Sequence, residues 1–386
     1  MSYALRFDVI IAGLGAMGSQ TLAHLARRGV NAAGFDRFAP PHDQGSSHGK
    51  SRIIREAYYE DPIYVPLVRR AFECWAELEA ETGTTLFRRT GGLCYGPPDG
   101  ELMRGARRSA ELHGVPHESL DAVALRARYP AFVIEDDWVG LLEARAGMLH
   151  PEHAIAAALD VARRHGAQVR MDEPVLRWRQ EGDGVVVETP QGRYRAGQLV
   201  LSAGMWIGAL VPELELPITV QRNAIYWFEP RRDSALFTPE RFPVFLGDLT
   251  PDLMLYGFPD TGDGVKVALH HFGPAVAPDA LDRTVSPAEI DHLRGVLQRY
   301  MPAANGALRE TGVCTYTNVP DEQFIIDRHP EASRVWVASP CSGHGFKFSS
   351  AIGEVLADLV TVGHSQFDLL PFSIDRFSAR RSSRPA

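Results

Sequence analysis

Three glycines and one carboxylate set the first chemical constraint on this chain. The apolar run Phe7-Asp8-Val9-Ile10-Ile11-Ala12 feeds into Gly13-Leu14-Gly15-Ala16-Met17-Gly18. In a strand-to-helix turn of this spacing, Gly13 makes the tight bend, Gly15 leaves room for a pyrophosphate, and Gly18 lets helix and strand pack closely. Ala16 and Met17 open the helix, whose N–H groups and positive dipole end suit phosphate. Asp36 stands 18 residues beyond Gly18, where a carboxylate bonds ribose hydroxyls and repels a 2′-phosphate. Arg37 follows it and joins the candidate cofactor contacts. The pattern points to NAD or FAD and disfavours NADP; by itself it does not choose between the first two.

The elements that must hold these residues are legible on either side. Ser19 to Gly29 reads as an amphipathic helix, with Leu22, Ala23, Leu25 and Ala26 on its apolar face, and Val30 to Phe35 as the second strand. The stretch from Arg37 to Arg52 is too polar and glycine-rich for a regular element, which marks it as a functional loop. Tyr64 to Leu78 reads as a helix and Phe87 to Tyr95 as a strand entering a new sheet. A helix at Ala154 to His165 precedes short strands at Gln168 to Met171, Val175 to Arg179, Gly184 to Thr189 and Arg193 to Ala196. A further strand from Gln198 ends at Ala203-Gly204, where ligand-contacting loops of parallel sheets lie. Leu216 to about Pro320 is strand-rich, with one helix at Pro287 to Tyr300. Arg334 to Ser339 then meets Gly343-His344-Gly345 and a helix from about Phe346 to Val362, a second glycine-mediated strand-to-helix junction.

The fold expected is α/β (α+β overall), with a Rossmann-like nucleotide domain that is discontinuous in sequence. It is assembled from 1–85, 150–215 and 321–386, and a substrate domain on a largely antiparallel sheet comes from 86–149 and 216–320. A nicotinamide domain rarely needs both ends of a chain, whereas the longer FAD does.

At 386 residues, 45% hydrophobic and 23% charged, the composition is that of a globular protein. A formal charge of −8 and the lack of a basic stripe argue against nucleic acid as a partner. No run approaches the roughly 20 apolar residues that span a bilayer, and the first strand begins too early to leave room for a signal peptide. A cytoplasmic location is therefore expected, and the lack of coiled-coil heptads makes a monomer the default. Four cysteines without CxxC spacing make neither a disulfide scaffold nor a metal site, despite 14 histidines. The tail from Ser378 to Ala386 is basic, serine-rich and expected to be frayed.

Six stretches, in order, resemble the sarcosine oxidase family of FAD-dependent amine oxidases, whose members include N-methyltryptophan and pipecolate oxidases. They are Gly13 to Gly18, Gly45-Ser46-Ser47-His48-Gly49-Lys50-Ser51-Arg52-Ile53-Ile54-Arg55, Tyr256-Gly257-Phe258-Pro259, Cys314-Thr315-Tyr316, Asp321 to Asp327, and Ser342-Gly343-His344-Gly345-Phe346-Lys347-Phe348. The resemblance spans nearly the whole chain. It implies FAD joined covalently to the Cys314 sulfur, with Cys341 the competing thiol. It also implies a cationic pair, Arg52 and His48, beside the flavin. Gly45, Ser46, Ser47, Ser51, Val175, Ala203, Gly204, Gly343, Gly345, Phe346 and Lys347 are further candidate cofactor contacts.

Arg55 and Lys347 match the pair that holds a substrate carboxylate, a fork plus a point charge. Lys266 matches the cation that assists dioxygen. His270 matches the active-site histidine, with His271 expected on the opposite face of its strand. Tyr256 and Tyr316 would wall the pocket. Gly247, nine residues before Tyr256, is expected to leave room for substrates larger than sarcosine. The implied reaction is oxidation of a secondary amino acid, N-methyl or cyclic, to an imine, with O2 reduced to hydrogen peroxide. A flavin dehydrogenase using another acceptor and, more distantly, a non-catalytic nucleotide-binding protein are the alternatives.

Overall fold

The computed structural model describes residues 5–377, so the tail at Ser378–Ala386 lies outside the described residues. Its first sheet is built on five parallel strands in the order Gln168–Arg170, Ala32–Phe35, Leu5–Ala12, Gly192–Leu201 and Val335–Ser339. Val9, Ile10 and Ile11 on the central strand are all buried, as a strand covered on both faces requires. Ile325–Arg328 adds antiparallel beyond Val335–Ser339, and the hairpin Arg177–Glu181/Gly184–Thr189 adds beside Gly192–Leu201.

The two strands expected around Arg193 and Gln198 are one strand of ten residues. Gly197 does not break it; a Cβ there would lie 2.9 Å from the Asp8 carbonyl oxygen, so this glycine serves close strand packing rather than a turn. Helices Ala16–Arg27, Pro151–Arg164 and Ser349–Thr361 pack together against the sheet. The last is entered through a short 3-10 turn at Phe346–Phe348.

The second sheet also has eight strands, in the order Leu308–Asn318, Thr219–Phe228, Val265–His270, Leu253–Phe258, Val244–Thr250, Gly92–Gly96, Val139–Glu143 and Glu118–Leu120. Every pairing in it is antiparallel except that of Val244–Thr250 with Gly92–Gly96. The strand expected from Phe87 to Tyr95 divides. Phe87–Arg89 joins a small sheet with Gly147–Leu149 and Arg52–Ile54, and Gly92–Gly96 joins the large one.

One face of the large sheet packs Tyr95, Phe245 and Phe228 into an aromatic core with the helix Pro287–Tyr300. The other face turns toward the first sheet and its glycine loop. The architecture is thus a Rossmann-like α/β layer facing a largely antiparallel sheet. Among the described residues, no helix is long and apolar enough to cross a membrane.

Candidate active site

A cavity of about 560 Å³ is lined from both large sheets. At one end lie Gly13, Gly15, Ala16 and Met17. Gly13 has φ +96°, and a Cβ on it would sit 2.5 Å from the Ser202 carbonyl oxygen, so only glycine makes this bend without strain. Gly18 lies behind the wall, not on it: its missing Cβ would fall 1.8 Å from the Gly13 oxygen, so its part is packing alone. Asp36 closes the second strand as expected, and its carboxylate accepts from Leu14 N at 2.6 Å and Phe38 N at 2.9 Å. Arg37 reaches across to Asp279 at 2.8 Å, which also accepts from Trp206 Nε1 at 3.0 Å. Val175, Ala203 and Gly204 line the same end.

The polar loop after Arg37 runs along the cavity, contributing Gly45, Ser46, Ser47, Ser51 and Arg52 to its wall. Ser47 Oγ accepts from Ala16 N at 3.3 Å, tying the loop to the helix start. Arg52 Nη2 donates to Ser46 O at 2.7 Å and lies 3.3 Å from Cys314 Sγ. The Cys314 sulfur therefore faces both the cavity and a cation. Cys341 lines the cavity too, its sulfur accepting from Thr317 N at 3.3 Å.

His48 departs from expectation. It is not on the wall, its Nε2 has no partner among the described residues, and burial, then Arg52, lowers its pKa to about 4. It is a neutral neighbour of Arg52, not the second member of a cationic pair.

Strand alternation places the remaining groups on one sheet face. In register, Phe258 pairs with Lys266, Tyr256 with Ala268, and Met254 with His270. Asn223 pairs with Cys314 and Gln221 with Tyr316. Tyr256, His270, Cys314 and Tyr316 all line the cavity. His270 Nδ1 is 3.2 Å from the Tyr316 hydroxyl, and burial, followed by its neighbours His271 and His344, pushes the imidazole pKa well down.

His271 is not on the opposite face. The strand ends at His270, His271 takes φ +49°, and its ring comes 4.2 Å from that of His270 and 5.2 Å from that of Tyr316. Alternation fails where the strand stops.

Gly247 also faces away from the cavity. A Cβ on it would meet the Tyr95 ring and hydroxyl at 2.5 Å, so the space it leaves is filled by Tyr95. The side chain that this strand turns into the cavity is Leu246.

Lys266 is buried but absent from this wall. Its Nζ donates to Gly49 O at 2.6 Å, Ser51 O at 3.0 Å and Ser51 Oγ at 3.2 Å, and it faces a second cavity of about 400 Å³. Ser51 and Phe258 line both cavities, so Lys266 sits at the partition. Burial, then Arg52, drives its pKa far below the usual lysine range.

Arg55 and Lys347 converge at the other end. Arg55 Nη2 lies 2.7 Å from Glu60 Oε2, and its guanidinium carbon is 4.5 Å from the centre of the Tyr58 ring. Lys347 Nζ donates to His344 O at 2.7 Å and to the Tyr58 hydroxyl at 3.1 Å. Burial, then Arg55, lowers the Lys347 ammonium to about 7. Burial would raise the Glu60 carboxyl, but Arg55 and His344 hold it below the usual carboxylate range. Gly343, Gly345 and Phe346 complete this wall. Glu60 and Leu246 were not among the sequence candidates, since neither an acid five residues after Arg55 nor a strand leucine carries a signal of its own.

A cavity with a dinucleotide turn at one end, a sulfur beside Arg52 in the middle and two cations at the other end fits FAD. The comparison with protein families agrees, matching residues 8–359 to FAD dependent oxidoreductase. The chain belongs to that family. This FAD-dependent oxidoreductase is 41% identical over 377 residues to monomeric sarcosine oxidase of Streptomyces avermitilis, covering 97% of this chain and 98% of that one. It is 37% identical over 376 residues to N-methyl-L-tryptophan oxidase of Salmonella arizonae, covering 97% and 100%. Its fold is shared with NikD, an amino acid oxidase of nikkomycin biosynthesis, at TM-score 0.84 and 24% identity, covering 96% and 98%. It is an FAD-dependent amine oxidoreductase.

Proposed function

We propose that this oxidoreductase oxidises secondary amino acids, N-methyl or cyclic ones such as sarcosine, at the C–N bond, and that dioxygen takes up the two electrons with two protons as hydrogen peroxide. The imine product hydrolyses, giving an aldehyde and a primary amine from an N-methyl substrate. The observation that supports this reading best is the convergence of Arg55 and Lys347, two cations suited to a carboxylate, on the cavity that also holds Cys314 and His270. FAD, when bound, supplies the two-electron acceptor for the C–H bond beside nitrogen and the donor to dioxygen.

The chain's own residues do the rest. Arg55 and Lys347 bind the carboxylate and so orient the amine. His270, neutral and with Nδ1 3.2 Å from the Tyr316 hydroxyl, lines the pocket where a ring nitrogen can hydrogen-bond the substrate amine. Tyr256 and Tyr316 exclude water. Arg52 and the backbone at Gly343 to Phe346 offer positive ends toward charge that builds on the cofactor. Cys314 Sγ is the attachment atom, and Lys266 is the cation for reduced oxygen. The nucleotide domain, 1–85, 150–215 and 321–386, and the substrate domain, 86–149 and 216–320, build the site together, Arg55 and Lys347 of the first reaching the substrate and Cys314 of the second reaching FAD, in a cytoplasmic monomer.

Acid precipitation of the purified protein tests the cofactor link: yellow colour that stays with the pellet, and is lost from it in Cys314→Ala, is expected. Colour that washes into the supernatant from wild type contradicts covalent attachment.

A further inference from the structure

Lys266 is held by a piece of backbone that is itself held from the opposite side. Gly49 and Lys50 have φ of +94° and +68°, so consecutive N–H groups point one way and the carbonyls of Gly49 and Ser51 another. A non-glycine residue in the left-handed region stays there only when its surroundings hold it. Here the holder on the N–H side is Glu152, in the first turn of the helix Pro151–Arg164. Its Oε1 accepts from Gly49 N at 2.7 Å and from Lys50 N at 3.0 Å, closing a small anion-binding nest. On the carbonyl side the holder is the Lys266 ammonium. Carboxylate and ammonium thus grip one loop from its two polar faces, and both line the smaller cavity.

We propose that Glu152 is a positioning residue for Lys266: by clamping the N–H groups of Gly49 and Lys50 it fixes the Gly49 and Ser51 carbonyls that aim the ammonium. This rests on the reading of Lys266 as the group that serves dioxygen. Burial and the nearby Arg52 and Lys50 lower the proton affinity of Lys266, and Glu152 raises it. Lys50 is itself occupied, 2.6 Å from Glu310 and 3.3 Å from Asp263. None of the sequence patterns marked Glu152, because its partners are backbone atoms about a hundred residues away.

The test compares Glu152→Gln, which keeps an acceptor and loses the charge, with Glu152→Ala, which loses both. In each flavin-loaded variant, anaerobic bleaching by sarcosine and reoxidation by dioxygen are timed separately, and Lys266 is titrated by NMR of labelled lysine. Bleaching is expected within about twofold of wild type, reoxidation slowed on the order of tenfold, and Lys266 titrating at lower pH in Glu152→Gln. Reoxidation within about twofold of wild type in both variants, or an unmoved Lys266 titration, overturns the proposal while leaving the oxidase reading intact. Reduced wild type that dioxygen does not reoxidise removes the oxidase reading and the proposal together.

Discussion

Arg55 already has a carboxylate: Glu60, 2.7 Å away, with the two side chains only 3% and 9% exposed. Glu60 therefore competes with a substrate carboxylate for a fork whose Nη1 also donates to Ala57 O at 2.7 Å. Removing the competitor should tighten anion binding. Glu60→Gln is expected to lower the Kd of a small carboxylate inhibitor such as acetate on the order of tenfold, read from the perturbed flavin spectrum. Weaker binding in that variant would mean that Glu60 positions Arg55 rather than competing for it.

Lys347 gives this end a pH dependence. With its pKa lowered to about 7 by burial and by Arg55, the ammonium loses its proton above that pH in the ligand-free protein. A bound carboxylate favours the charged form, so binding takes up a proton there, and Kd for a carboxylate should rise with pH above about 7. Lys347→Met should bind weakly with a flat profile. A wild-type Kd that stays level from pH 6 to 9 would sink this assignment.

Leu246 and Gly247 separate pocket shape from core packing. Leu246→Ala widens the cavity and should raise kcat/KM for N-methyl amino acids with bulky side chains relative to sarcosine, at a stability cost of about 2 kcal/mol. Gly247→Ala forces a Cβ into the Tyr95 ring; it should lower Tm and leave the order of substrates unchanged. A changed substrate order in Gly247→Ala alone would reverse the assignment.

Two core histidines set an acid limit. Burial first, then nearby positive groups, lowers His24 to about 4, and burial likewise lowers His344 to about 4. Both are less than a tenth exposed. The unfolded chain binds these protons from about pH 6.5 downward and the folded chain only near 4, so stability is full above 6.5 and is lost as pH falls through that window. The loss should be on the order of a few kcal/mol, seen as a falling Tm between pH 7 and pH 4.5. His24→Gln should shallow that slope.

Much of the site was legible because its residues sit where local rules are strong. The glycine turn and Asp36 follow from one strand-turn-helix spacing, while Tyr256, Cys314 and Tyr316 come from the resemblance of their motifs to the family, and the strand registers set them on the cavity face. Where those rules lapse, the structure departs from expectation. His271 swings beside His270 because the strand stops there, and Gly247 faces away from the cavity because alternation turns its neighbour Leu246 toward it. His48 is cationic by the motif, but burial beside Arg52 lowers its pKa to about 4. Glu60 and Glu152 act on partners that only tertiary structure supplies, a guanidinium already claimed by the pocket and two backbone N–H groups on a distant loop.

Lys266 carries the most exposed part of the mechanism, since it stands at the partition between two cavities. Lys266→Met should bleach with sarcosine near the wild-type rate and return to yellow on the order of a hundredfold more slowly in air. Slowed bleaching with normal recovery would place Lys266 on the substrate side instead.

The central claim is best tested by mixing purified wild type with sarcosine anaerobically and then admitting air. The account predicts that the yellow band bleaches, recovers on aeration, and yields one hydrogen peroxide for each sarcosine consumed. Bleaching without recovery or peroxide would contradict the oxidase reading, and no bleaching by sarcosine, N-methyl amino acids or pipecolate would contradict the substrate class itself.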